Sequence, residues 1–320
     1  MENMRTLNGA LVKRRKRGAV LQRLHAGACR IFIAAVALSM LPVAPAGAQK
    51  SVADADFVVA APVIDMYRNP STDSDVVSQA IYGTDVPSLK KQAGWYDIRT
   101  ADGYSGWAQA AGLRALSAGP YAPDGKVVRV AVLSANVYRD PDVTLHAPLL
   151  RLPWEARLEV TSEPATGSGR WISVRLVDGR TAWVQRGDVS ANFAPLSVDE
   201  TILLARKFLG ITYTWGGISS FGFDCSGFTQ MLVRQRGTEM PRDASVQAAW
   251  SGVVPIKREE LQPGDLLFFG ASAAKITHTG MYIGNGQFIH DTTHDHPGVQ
   301  INNLGDQPWT TLLVAARRIK

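Results

Sequence analysis

Between residues 57 and 190 apolar and polar positions alternate in short runs broken by Asp-Gly and single glycines, which predicts antiparallel strands joined by tight turns. The pattern is used twice. WYDIRTADGYSGWAQ at 95–109 returns as WISVRLVDGRTAWVQ at 171–185, with Trp95 and Trp171, Arg99 and Arg175, Trp107 and Trp183, and Gln109 and Gln185 in matching places. Upstream, VIDMYRNP at 63–70 pairs with SANVYRDP at 134–141. The offset grows from 71 to 76 residues, so the second copy carries a five-residue insertion. Each copy predicts a small all-β barrel, with most of its tryptophans in the core. SAGPYAPDG (117–125) and ANFAPLS (191–197), rich in proline and small residues, predict linkers.

From Ser197 the texture changes. SVDE forms a capping box, Ser197 as N-cap and Glu200 three residues on, and ILLARKFLG then follows a helical period until Gly210 stops it. A second helix carries Phe228, Met231, Leu232 and Gln235 at i, i+3, i+4 and i+7, and Gly237 ends it. DLLFFG (265–270), HTGMYI (278–283) and QFIHD (287–291) read as strands, with Gly284-Asn285-Gly286 as a turn and TLLVAARRI (311–319) as a closing strand. Helices followed by an antiparallel sheet predict an α+β domain after two all-β units.

The length of 320 residues agrees with two or three domains. The net charge of +6 is unevenly spread: residues 1–48 hold eight Lys and Arg against Glu2, and the remainder carries a net −1. A nucleic-acid binder would keep its basic patch beyond that leader, so no nucleic-acid partner is expected. Residues 1–48 read as a signal peptide: a basic region, the apolar run IFIAAVALSML at 31–41, then Ala46-Gly47-Ala48 as the small-x-small cleavage site. The alternative is a membrane anchor, but eleven apolar residues fall short of the ~20 needed to span a bilayer. Cys29 precedes the apolar run, the wrong side for a lipid-accepting cysteine. Removing the leader leaves Cys225 as the sole cysteine, unusual in an oxidising compartment. A free cysteine is commonly just a small buried hydrophobe, so its surroundings decide.

Those surroundings are GFDCSGFTQ (222–230), which puts Cys225 where a helix begins, between Gly222 and Gly227. A helix N-terminus stabilises a thiolate, and its unpaired N–H groups also suit an oxyanion. A cysteine nucleophile needs a base, and His146, His278, His290, His294 and His296 are the candidates beyond the leader. A three-residue Gly284-Asn285-Gly286 loop sets Gly280 opposite His290 and puts His278 and His290 on one face; a two-residue Asn-Gly loop would put them on opposite faces. The competing reading is a metal site in HDTTHDH (290–296), but its spacing matches neither a structural-zinc pattern nor an HExxH helix.

Residues 206–230, with PRDASVQ (241–247), LQPGDLLFFG (261–270) and HTGMYIGNGQFIH (278–290), resemble the NlpC-type family of papain-like cell-wall cysteine peptidases over nearly all of 198–320. Residues 57–116 and 127–190 resemble bacterial SH3-like domains, an arrangement similar to the subgroup of γ-D-glutamyl-L-diamino acid endopeptidases. The resemblance implies Cys225 as nucleophile, His278 as general base and His290 as the group that orients it. It implies Tyr213 near the oxyanion, with Asp224 and Ser226 lining the substrate pocket; Arg242 and Asp243 share a motif without an assigned role. It further implies peptidoglycan stem peptides or muropeptide fragments as substrate, no cofactor, and an exported protein, periplasmic or secreted. The same fold also serves DD-endopeptidases, amidases and acyltransferases, and a wall-binding module is the rival from another class.

Overall fold

The computed structural model describes residues 55–117, 119–122, 125–162 and 169–320. The expected signal peptide, its cleavage site and Cys29 lie outside the described residues. Among those residues no helix is long and apolar enough to cross a membrane.

The first copy of the repeat forms a five-stranded antiparallel sheet in the order Val76–Ile81, Val63–Tyr67, Ser105–Gln109, Trp95–Arg99, Ser88–Gln92, beside a three-stranded sheet around Phe57–Val59. The second forms one seven-stranded sheet, running from Leu150–Pro153 through Ser134–Tyr138, Thr181–Gln185, Trp171–Arg175, Arg157–Ser162 and Lys126–Val130 to Val189–Ser190. The repeat is reproduced in register: Tyr67 lies opposite Trp107, and Tyr138 opposite Trp183. It is reproduced in packing too, since Tyr67 meets Trp95 edge-on at 5.4 Å and Tyr138 meets Trp171 edge-on at 5.5 Å.

The tryptophans do not form the cores, contrary to expectation. Strand alternation turns Ile98 and Ala108 inward in the first copy and Ile172, Val174 and Val184 inward in the second, so Trp95, Trp107, Trp171 and Trp183 stand half-buried on the other face. The stretch expected as a first linker is also partly built in. Tyr121 is buried, its amide donates to Asp85, and its hydroxyl donates to the Arg175 carbonyl while accepting from the Glu159 amide.

The C-terminal domain begins with α1 (Val198–Lys207), where the Ser197 hydroxyl accepts from the Glu200 amide and the Glu200 carboxylate accepts from the Ser197 amide. Ser197→Ala is expected to cost about 1 kcal/mol in a urea melt; an unchanged midpoint would show that the cap adds nothing. Helix α2 (Cys225–Gln235) buries Phe228, Met231 and Leu232, and Phe208, Phe223 and Phe228 meet edge to face at 5.5–6.2 Å. Short α3 (Ala244–Ala249) follows. The domain's six-stranded antiparallel sheet runs Val253–Ile256, Leu313–Ile319, Leu266–Ser272, Lys275–Gly284, Gln287–Thr292, Gly298–Asn303.

Both β-regions dock on this domain. From the second, Trp154 lies edge-on against Phe208 at 5.6 Å and Glu155 pairs with Arg234. From the first, Asp102 accepts from the Gln230 amide group at 2.7 Å and Ser78 accepts from Arg242 at 3.3 Å.

Candidate active site

The hairpin that carries the two histidines has the expected register but a different turn. Asn285 and Gly286 both have positive φ, 52° and 73°, so the loop is the two-residue Asn-Gly type. The pairing shifts between Tyr282 and Gly284, leaving Ile283 as a bulge, and Met281 then faces Ile289. The bulge restores the parity that a two-residue loop alone would have inverted. Gly280 therefore comes level with His290, and a side chain there would press on the His290 Cβ.

His278 and His290 consequently share a face, with His278 Nε2 2.7 Å from His290 Nδ1, and His290 Nε2 is 2.7 Å from Asn302 Oδ1 on the next strand. An amide oxygen only accepts, so Nε2 of His290 carries a proton and its Nδ1 accepts from His278 Nε2. The relay leaves Nδ1 of a neutral His278 free as a base. The rings are held by Phe269, Phe288 and Trp309, with Trp309 edge-on to His290 at 4.7 Å. Burial pushes His278 well below the ordinary imidazole range, helped by His290. Burial likewise lowers His290 to about 4, against the pull of Asn302.

Cys225 opens α2, and Asp224 caps it by accepting from the Gly227 amide at 2.7 Å. The cap is itself clamped. Arg242 donates Nη1 to Asp224 Oδ1 at 2.9 Å and Nη2 to Oδ2 at 2.6 Å, and Nη1 also reaches the Ser226 hydroxyl at 2.7 Å. The Gly216 amide donates to the same carboxylate at 3.0 Å. Gly227 is demanded by close packing, since a Cβ there would collide with the Gly217 carbonyl oxygen. Thr279, the neighbour of His278 on its strand, turns its backbone N–H toward the Cys225 sulfur.

The expected thiolate-stabilising effect of the helix N-terminus is overruled. Burial, and then the Asp224 charge, push the Cys225 thiol up to about 12, although the Thr279 and Ser226 amides and Arg242 favour the anion. Cys225 and His278 thus both rest neutral.

Cys225 opens onto a cavity of about 550 Å³ walled by Tyr213, Trp215 and Ser226 on one side and by Arg68, Asp75 and Tyr104 of the first β-region on the other. Tyr104 donates its hydroxyl to the Asp243 carboxylate at 3.3 Å. Tyr213 is held protonated by burial, with Cys225, Asp224 and Asp291 adding to the effect, so its hydroxyl is a donor. Of the six expected site residues, Tyr213, Asp224, Cys225 and Ser226 line this cavity, while His278 and His290 are not among the residues that wall it and meet each other instead. Asp224 spends its oxygens on the cap and on Arg242. Sequence reasoning missed Asn302, Tyr104 and the Arg242 clamp; only the neighbouring PRD motif pointed at the last. His294 and Asp295 of the HDTTHDH stretch sit in a turn where they meet each other at 3.4 Å.

A family model described as NlpC/P60 family matches residues 210–318, and one described as bacterial SH3 domain matches residues 62–114. The gamma-D-glutamyl-L-lysine dipeptidyl-peptidase of Bacillus cereus (strain ATCC 10987 / NRS 248) is 31% identical over 256 residues, covering 75% of this chain and 74% of its own. The chain belongs to the NlpC/P60 family. It is a cysteine peptidase with an SH3-like N-terminal domain and an NlpC/P60 C-terminal domain. A second relative, the gamma-D-glutamyl-L-lysine dipeptidyl-peptidase of Bacillus subtilis (strain 168), is 28% identical over 257 residues, covering 77% of this chain and 82% of its own. The crystal structure of an NlpC/P60 family protein from Bacillus cereus ATCC 10987 has the same fold, with a TM-score of 0.70 at 24% identity over 82% of this chain and 99% of that one.

Proposed function

We propose that this NlpC/P60 protein is an exported endopeptidase that hydrolyses the γ-D-glutamyl-L-diamino acid bond of peptidoglycan stem peptides, with a papain-like catalytic domain behind two SH3-like barrels. The observation that carries the reading is the Asn302–His290–His278 relay on the strand whose Thr279 amide faces the Cys225 sulfur, with Cys225 opening onto a cavity whose far wall is the first β-region. Both named relatives act, by name, on γ-D-glutamyl-L-lysine.

The chemistry follows from these two neutral groups. His278 Nδ1 takes the Cys225 proton as the sulfur attacks the γ-carbonyl of D-Glu, and the oxyanion is met by backbone N–H groups at the head of α2 and by the Tyr213 hydroxyl. The imidazolium returns its proton to the departing amine of the diamino acid. Water, deprotonated by His278, then cleaves the thioester and restores the thiol. No cofactor enters these steps. The Asp243 carboxylate, held on the cavity wall by the Tyr104 hydroxyl, suits a free amino group at the L-Ala end, and so favours released fragments over intact wall.

The test is mass spectrometry of products from L-Ala-γ-D-Glu-meso-diaminopimelate, its N-acetylated form and purified cross-linked wall, with residues 49–320 as enzyme. Cleavage after D-Glu is expected, with kcat/KM falling about 30- to 100-fold on acetylation, the loss of a charged hydrogen bond. Survival of the free tripeptide while wall dissolves would point to a cross-link-cutting DD-endopeptidase, and no turnover of any substrate to a wall-binding module.

A further inference from the structure

Asp291 follows His290 on the same strand, so alternation turns its carboxyl to the opposite face, away from the histidine cluster. Its neighbour in the continued strand register is Thr279, the residue whose amide faces the Cys225 sulfur. Both residues are 0% exposed, and neither the Thr279 hydroxyl nor either Asp291 carboxyl oxygen has a hydrogen-bond partner among the described residues. A buried carboxylate is ordinarily paired or strongly hydrogen-bonded. This one faces another acid. Asp224 acts on it from the head of α2, and it acts on Tyr213 together with Cys225; the nearby cation, Arg242, is committed to Asp224.

Burial first, then repulsion from Asp224, push the Asp291 carboxyl up to about 8, against a slight pull from the Thr292 amide that falls short of a hydrogen bond. The wall of the site that must receive negative charge in the reaction, Tyr213 with the start of α2, is thus backed by a carboxyl that is neutral only up to mildly alkaline pH. An ionised Asp291 would place an uncompensated negative charge there, beside an Asp224 that takes up the charge of Arg242.

We propose that Asp291 is a positioning residue of the thiol site that works only as the neutral acid, so that its ionisation sets the alkaline limit of the enzyme. The proposal rests on Cys225 as nucleophile and Tyr213 as oxyanion donor, as argued above, and not on the identity of the bond cleaved.

Three measurements on wild type and Asp291→Asn test it. In the peptide assay, the ratio of kcat/KM at pH 9 to that at pH 7 is expected to be about tenfold higher in the variant, because a group with a midpoint near 8 is mostly ionised at pH 9. Alkylation of Cys225 by iodoacetamide, which needs no substrate, should show the same divergence above pH 8, severalfold or more. Thermal melts give an independent readout. A folded-state value raised above the ordinary carboxylate range makes wild type lose stability as pH rises toward 8, so the variant's Tm advantage should widen between pH 4 and 8 and then level off. Superimposable alkylation profiles, or a Tm difference that does not change with pH, overturn the proposal. A protein that leaves the tripeptide intact yet shows both shifts retracts the substrate assignment and keeps Asp291. If Asp291→Asn does not fold, Asp291→Ala takes its place; if neither folds at any pH, the carboxyl is structural and the proposal falls.

Discussion

Cys225→Ala and His278→Ala are each expected to lower kcat by roughly 10⁴-fold or more, and the double replacement to lose little beyond either single one. The non-additivity follows from the resting state. Because burial holds the thiol up and the imidazole down, the proposed mechanism makes neither group active alone, with a thiolate existing only while His278 holds its proton. His290→Ala should cost roughly 10²-fold less than either, since it removes the group that fixes the His278 tautomer and leaves the base in place. His290→Asn should recover part of that loss if its side-chain oxygen can accept from His278. Single-turnover kinetics on the γ-D-glutamyl peptide check these values. A double mutant whose loss is the product of the two single losses would mean that Cys225 and His278 do not act as a unit.

Much of this site is legible in the sequence. The capping box at Ser197, the start of α2 at Cys225 and the glycine stop at Gly237 are local signals, set by hydrogen bonds and backbone angles within a few residues. The level of Gly280 with His290 was readable as well, although for the wrong turn. Asn285-Gly286 favours the two-residue loop, and only the bulge at Ile283, which no short-range pattern announces, preserves the register. What the sequence hid depends on contacts between distant segments. The Arg242 guanidinium reaches Asp224 from 18 residues away and Ser78 from 164, and Asn302 enters the relay from a strand that the alternation did not mark. The thiol departs from the sequence expectation for the same reason. A helix N-terminus is visible in sequence, but the surrounding protein that desolvates Cys225 is not, and desolvation is the larger effect. The tryptophans of the repeat show the limit of composition: large aromatic residues suggest a core, yet strand parity puts them on the opposite face.

The Arg242 clamp carries the second large prediction. An exposed pair such as Arg68–Asp75, with both side chains at least 66% exposed, is worth about 0–1 kcal/mol. Arg242 and Asp224 are almost wholly enclosed and bonded through both oxygens, so removing one partner leaves a buried charge without compensation. Arg242→Met is therefore expected to destabilise the folded protein by about 3–5 kcal/mol, on the order of 10 °C in Tm. Arg242→Lys should rescue only part of this, because an ammonium cannot span both carboxylate oxygens and the Ser226 hydroxyl at once. Adding Asp224→Asn to Arg242→Met should restore stability relative to the methionine variant, since the stranded charge is gone while the amide oxygen can still cap Gly227. Catalysis should not recover with it. The guanidinium also ties the cap to Ser226 and to Ser78 of the first β-region, so the double variant is expected to melt closer to wild type yet keep a depressed kcat, with Cys225 no longer held against the cavity wall. Melts and kinetics on the four proteins of the cycle separate the two effects. If activity returned together with stability, the clamp would be a folding element only, and the link from the first β-region to the nucleophile would have to run through Tyr104 and Asp243 instead.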